Sequence, residues 1–350
     1  MERERDAKPF SRRRFIQCLG MLTVAGRTFL NSGDARAAIH AAHDAAAGPS
    51  AWPAMTYRKL GRTGFDASRL VMGCGASLMF RQKDALLNTA YEAGINVFDV
   101  GYSGYYRYAE QNLSGFLKKV RDEIFLISKA PVELEAEPDD IITAQQATHA
   151  AKSWSQRLDD SLSELGVDHV DAYYLMASHN PSLIESEEIH RAFQIAKQAG
   201  KVGHLGISTH RNAEKVLASA AKTGWYDLAM IAITPAGWYD WESKAVLKGS
   251  KPMSELQPVL EKARASGIAL VGMKAARHIS GLPVLGWWKK LDAFDEYYDE
   301  KLLAASLSPF QRSYAYVLAH GLDAVNADIQ DLAQLQENVV AAANSPSYFA

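Results

Sequence analysis

The chain has 350 residues, enough for one large domain or two ordinary ones with a sizeable core. Hydrophobic residues make up 48% and charged residues 22%, and a formal net charge of −2 gives no general affinity for nucleic acid or an anionic membrane surface. Two cysteines, Cys18 and Cys74, with no CxxC or Cys/His spacing, exclude a zinc or iron–sulfur site built on cysteine.

The first 50 residues differ from the rest. "SRRRFIQ", Ser11 to Gln17, sets arginines before Phe15 and Ile16. The apolar "CLGMLTVAG" follows, then an Ala-rich stretch with small residues. This is the order of a basic n-region, a short h-region and a cleavage segment. Ser11, Arg12, Arg13, Phe15 and Ile16 resemble the bacterial twin-arginine export signal, with Gln17 where that signal usually has Lys. Ala35-Arg36-Ala37 fits a small-x-small cleavage site, so 1–37 is expected to be a signal peptide, 38–55 a linker and 56–345 the folded domain. The resemblance implies the twin-arginine machinery as a partner and the periplasm as the destination. An amphipathic cytoplasmic helix is the alternative. The h-region is too short to span a bilayer, and no other stretch reaches 18 apolar residues, so no stable membrane anchor is expected.

"MTYRKLGRTGFDASRL" roughly alternates polar and apolar residues about Gly61 and Gly64, which predicts a hairpin. Eight short apolar runs follow: "RLVMGCG" (69–75), "NVFDV" (96–100), "IFLISK" (124–129), "VDAYYLM" (170–176), "VGHLGIS" (202–208), "LAMIAI" (228–233), "ALVGMKA" (269–275) and "DAVNADI" (323–329). They are apolar throughout rather than alternating, as parallel strands buried on both faces are. Helical patterns separate them. In "AKSWSQRLDDSLSELG", Trp154, Leu158, Leu162 and Leu165 share a face, and "EIHRAFQIAKQAGK" stops at Gly200. Eight β-then-α units predict an α/β fold, a (β/α)8 TIM barrel with the hairpin capping its bottom. An open doubly wound sheet is the runner-up, but no GxGxxG follows the first strand. One connection is unusually long, Arg277 to about Pro309 after the seventh strand, and it carries Trp287, Trp288 and "DAFDEYYDE".

In such barrels the C-terminal strand ends face the active site. Those ends here bring Asp99, Lys129, Met176 to His179, Ser208-Thr209-His210, and Lys274 to His278. "YRKLGRTGFDASRLVMG", "AYEAGINVFDV", "IFLISK", "SLSELGVDHVDAYYL", "GKVGHLGIS" and the late "LQEN" resemble, in order, the aldo-keto reductase family over roughly 56–343. The resemblance implies a (β/α)8 barrel that reduces aldehydes and ketones with NADP, or NAD, and a small-molecule carbonyl substrate. It also implies a catalytic Asp, Tyr, Lys and His. Asp99 and Lys129 stand at the family's acid and lysine. Hydride addition leaves an alkoxide that needs a proton. A tyrosine of pKa about 10 gives one poorly at neutral pH unless a neighbouring ammonium lowers that value.

The family's tyrosine falls five residues after the acid, which here is Gly104. Counting back from Glu110 instead, Tyr106 takes its place and Arg107 replaces the family's glycine, with a two-residue insertion. Tyr105 and Tyr102 are the alternatives. Met176 occupies the family's histidine position, and His179 is the nearest candidate to supply that group. For the cofactor, Ser208-Thr209 stands at a Ser-Asn pair, Met230 at a Gln and Ile233 at a ring-stacking Tyr. "DIQDLAQLQEN" matches the adenosine-phosphate segment with Asp328 at its glycine and Gln330, Asp331, Gln334 and Asn338 at contact positions. Carboxylates there repel a phosphate, which Lys274 and Arg277 could offset. His179, His210 and His278 with Asp99 form a further pattern of metal-ligand types, but on separate strands, and no metal is assigned. The competing reading is a periplasmic ligand-binding or scaffold protein on an altered reductase barrel.

Overall fold

Apolar runs with no polar face must be covered on both sides, and closing the sheet into a ring wrapped by helices does that. The computed structural model describes residues 49–279 and 290–349. Its strands are β1 (Tyr57–Lys59), β2 (Asp66–Ser68), β3 (Leu70–Gly73), β4 (Val97–Asp99), β5 (Phe125–Ala130), β6 (Val170–Leu175), β7 (Val202–Thr209), β8 (Leu228–Thr234), β9 (Gly237–Asp240), β10 (Ala245–Val246), β11 (Ala269–Met273) and β12 (Ala324–Asp328). The helices are α1 (Gly75–Leu78), α2 (Asp84–Glu92), α3 (Ser103–Tyr106), α4 (Ala109–Val120), α5 (Ala144–Leu165), α6 (Pro181–Ile184), α7 (Glu187–Gln198), α8 (Ala213–Thr223), α9 (Gln257–Ala265), α10 (Glu300–Ala304), α11 (Pro309–Ala319) and α12 (Leu332–Phe349).

β3, β4, β5, β6, β7, β8, β11 and β12 pair in parallel in that order, and β12 returns to β3, so the ring closes. All eight runs read from the sequence are its strands. Val71, Val97, Ile127, Tyr174, Met230 and Val271 fill the inside of the ring. The second apolar layer lies between strands and helices, where Trp154, Leu158, Leu162 and Leu165 of α5 are buried as their spacing requires. Thr143 and Gln146 form a capping box at the start of α5, and Gly166, with φ of 65°, ends it.

The predicted hairpin is β1–β2, with Arg58 opposite Ala67. Gly61 in its turn has φ of 51°, and a Cβ there would lie 2.5 Å from the Gly267 carbonyl. Only a glycine lets the turn press this close to the start of β11. Arg62 N donates to that carbonyl at 3.0 Å, and the Arg62 guanidinium pairs with Asp227, so the hairpin is pinned across the barrel floor.

Two connections of the barrel are long, where the sequence predicts one. Between β8 and α9 the chain forms a second hairpin, β9–β10, extending from β8 over the mouth of the barrel. The long segment after β11 carries a 3-10 turn at Asp295–Tyr297 and α10, with Phe294, Tyr298 and Leu302 buried. Trp287 and Trp288, the segment 1–37 expected to be a signal peptide and most of the segment 38–55 expected to be a linker lie outside the described residues. Among the described residues no helix is long and apolar enough to cross a membrane.

Candidate active site

The C-terminal ends of the barrel strands surround a cavity of about 730 Å³. Asp99 from β4 and Lys129 from β5 meet on its floor. Lys129 Nζ donates to Asp99 Oδ1 at 2.7 Å, to Oδ2 at 2.6 Å and to the Val100 carbonyl at 2.6 Å. Both side chains are buried, so the pair is held by desolvated, fully used hydrogen bonds. Asn326 from β12 donates Nδ2 to Asp99 Oδ2 at 2.6 Å and reaches Met230 Sδ at 3.4 Å.

The four tyrosines of the loop after β4 separate cleanly. Tyr106, at the end of α3, lines the cavity, with Lys129 Nζ 5.7 Å from its ring centroid. Its ring slides between Gly75 and Gly101, where a Cβ would come within 2.6 and 2.8 Å of it. Tyr105 is 51% exposed at the rim, edge-on to Tyr106. Tyr102 turns outward beneath the Arg157 guanidinium at 4.6 Å, and Tyr108 is exposed. Arg107, which the count from Glu110 puts at the family's glycine, has φ of 53° and ψ of −111°. That is backbone a glycine takes freely and other residues rarely do.

The expected lowering of the tyrosine pKa by Lys129 is not what the site produces. Burial raises the Tyr106 hydroxyl above its ordinary value, and Asp99 pushes the same way. The physical reason is that the Lys129 charge is neutralised by both oxygens of Asp99, leaving little field at the phenol. Behind the pair, Glu110 of α4 is buried and accepts from Ser128 Oγ at 2.6 Å. Burial pushes its carboxyl up to about 7.

Met176, which the resemblance puts where a histidine is expected, lines the cavity. His179 does not swing in: its Nδ1 meets Thr209 Oγ1 at 2.9 Å, away from the cavity lining. Thr209 donates its hydroxyl proton to the Arg211 carbonyl, so this residue too is turned from the cavity. Ser208 lines it. Consecutive strand residues point to opposite faces, so Ser208 and Thr209 cannot both face a ligand. Lys274, Arg277, Gln330, Gln334 and Asn338 all line the cavity. Gln330 Nε2 donates to Asp328 Oδ1 at 2.7 Å, and burial raises the Asp328 carboxyl. Among the described residues no group of three or more His, Cys, Asp or Glu side chains is placed to hold a metal.

Among the lining residues given no such part by the sequence are His210, Asn326 and Trp241. His210 was visible as a strand-end histidine, and burial together with Lys274 pushes it down to about 3, so it is a neutral imidazole. Asn326 is a polar residue between the buried Val325 and Ala327, a signal the sequence did carry. Trp241 enters from the unforeseen β9–β10 hairpin. A second, shallower groove of about 1100 Å³ along α5, by Glu133 and His149, gathers no strand-end groups.

The model of the Aldo/keto reductase family matches residues 72–278. L-glyceraldehyde 3-phosphate reductase of Escherichia coli K12 is 28% identical over 175 residues, covering 47% of this chain and 48% of its own. Oxidoreductase YdhF of the same strain is 28% identical over 166 residues, covering 44% and 53%. The chain thus spans about half the length of the curated relatives it matches. Among solved structures, the holo form of an aldo-keto reductase from Bacillus halodurans superposes with a TM-score of 0.58 at 22% identity, covering 82% of this chain and 90% of that one.

Proposed function

The chain belongs to the aldo/keto reductase family, and on that premise we propose that it is an oxidoreductase reducing an aldehyde or ketone with a nicotinamide dinucleotide. The observation that carries this reading is the convergence of Tyr106, Lys129 and Asp99 on one cavity floor. Relatives named as a reductase and an oxidoreductase support it, and the first of these names a small aldehyde.

The residues present fit a dinucleotide in part. Ser208, Gln330, Gln334 and Asn338 offer hydroxyl and carboxamide groups suited to its amide and ribose, and Arg277 a charge suited to its phosphates. Asp328 and Glu337 line the same cavity and oppose a further phosphate, so NAD is to be tested beside NADP. The cofactor supplies the hydride. Tyr106 supplies the proton to the carbonyl oxygen. With its hydroxyl raised by burial, the phenol stays in the donor form at neutral pH, and transfer to an alkoxide, a far stronger base, is downhill. Lys129 and Asp99 form a neutral pair below it, and Asn326 holds Asp99 in place. Met176 gives an apolar wall where a histidine would polarise the carbonyl.

Fluorescence titration with NADPH and NADH, followed by a carbonyl panel, tests the reading. Tyr106→Phe is expected to lower reduction by about 10²–10⁴-fold while cofactor binding is retained. If Tyr105→Phe does this instead, the loop has been aligned wrongly. Binding of neither cofactor at millimolar concentration removes the reductase reading. Cofactor or carbonyl binding without turnover favours the ligand-binding barrel, for which Met176, Asp328 and Glu337 speak. Export as a folded, cofactor-loaded protein to the periplasm is proposed from Ser11 to Ile16, and recovery in the cytoplasmic fraction alone would rule it out.

A further inference from the structure

Two lysines with strained backbones reach the same indole. Lys274 follows β11 with φ of 67°, and Lys244 lies in the turn of β9–β10 with φ of 56°. Such conformations persist at non-glycine residues where the surroundings over-determine them, and they cluster at functional sites. Lys274 Nζ stands 4.6 Å and Lys244 Nζ 3.1 Å from the ring centroid of Trp241. The His210 ring closes the corner at 5.6 Å from Trp241.

Lys244 is exposed at the rim, whereas His210, Trp241 and Lys274 line the cavity. An ammonium has three donors and no acceptor. Among the described residues, no hydrogen bond or ion pair engages the Lys274 ammonium, whose residue accepts through its carbonyl from Arg277 N at 2.9 Å. Arg277, Lys129 and Lys244 add like charge around it, and Asp328, its main acidic influence, already accepts from Gln330. Lys129, by contrast, is fully answered by Asp99. A ring face attracts a cation but leaves its N–H groups unused. The corner therefore has a surplus of positive charge and, at Lys274, free donors beside the Trp241 ring, both lining the cavity.

We propose that His210, Trp241 and Lys274 form a subsite for the anionic group of the carbonyl substrate, a carboxylate or phosphate on a body flat enough to lie against the indole. Lys274 binds the charge, the neutral His210 ring adds a donor or acceptor without charge, and Trp241 carries the body. Assigning the anion to a carbonyl substrate rests on the reductase reading above; the subsite itself does not. Cofactor phosphate is the other source of the same chemistry, and the test separates the two.

The full chain and its Lys274→Met and Lys274→Arg variants are compared in two ways. Calorimetry with benzoate and with inorganic phosphate reads the subsite without turnover, and NADPH and NADH dissociation constants are measured alongside. Steady-state kinetics compare 4-carboxybenzaldehyde with benzaldehyde. Lys274→Met is expected to weaken benzoate or phosphate at least tenfold. Its KM for 4-carboxybenzaldehyde should rise at least tenfold more than for benzaldehyde, and more than any change in nucleotide affinity. Lys274→Arg should recover most of the loss. A nucleotide loss that exceeds the substrate loss assigns Lys274 to cofactor phosphate and overturns the proposal, as does an equal effect on both aldehydes. If no aldehyde is reduced by the native chain, the reductase reading fails, yet a Lys274-dependent benzoate or phosphate signal still supports the subsite. Absence of that signal with the native chain at millimolar ligand overturns it.

Discussion

Between β4 and β5, Asp99 and Lys129 answer each other with three short hydrogen bonds counting the Val100 carbonyl, and Asn326 adds a fourth to the carboxylate. Across the cavity, between β7 and β11, Lys274 and Lys244 crowd one indole on strained backbones. The first arc is complete as folded. The second gains its partners only from what enters the cavity. Chemistry needs atoms fixed in advance, so a satisfied network suits the reacting side. Selection needs groups that remain unpaired until the right ligand arrives, which suits the other.

Removing one lysine from each arc is the sharpest way to break that contrast. Lys129→Met leaves the buried Asp99 charge without a counter-charge, held only by Asn326, and is expected to cost about 3–5 kcal/mol of stability. Lys274→Met removes a repelled, unpaired charge and is expected to stay within about 0.5 kcal/mol. Denaturant midpoints of the two variants check this, and comparable losses would dissolve the distinction.

The acid behind the first arc gives a smaller effect with a pH signature. Glu110 holds its proton to about 7 in the fold, against an ordinary value of 4.5. Between these values the folded chain binds more protons than the unfolded one, so stability falls as pH rises through that window and the loss is complete above it. Glu110→Gln keeps an acceptor for Ser128 and removes the loss. It is expected to stabilise the protein by up to roughly 3 kcal/mol at pH 8 and little at pH 4, read from unfolding at both. The smallest effect is at Arg107. Arg107→Gly relieves its positive φ and is expected to add about 1 kcal/mol, or roughly 2 °C in Tm.

The ring was legible because strands buried on both faces leave unbroken apolar runs, each of them about the length of a strand. Asp99 and Lys129 were legible because an ion at the end of such a run needs a partner at the mouth. Counting back from Glu110 expects a glycine after Tyr106, and Arg107 there takes a positive φ of 53°, backbone of the kind glycine favours. Thr209 was misjudged against a rule already in the sequence, since its neighbour Ser208 had claimed the inward face. The β9–β10 hairpin was hidden for a different reason. "GWYDWESKAV" has no Asn-Gly or Asp-Gly turn, and a lysine rather than a glycine takes its positive φ. Trp241 could not be placed without that turn, nor His210 told from His179 without the strand register.

The closing pair of the ring, Val325 beside Leu70, joins strands from opposite ends of the domain. Until β12 has been made, β3 and β11 are open edges, able to pair with any extended chain nearby. Contacts this distant in sequence are slow to form. A ribosome still holding the last strand therefore presents a sheet, and the barrel exists only after synthesis has passed Asp328.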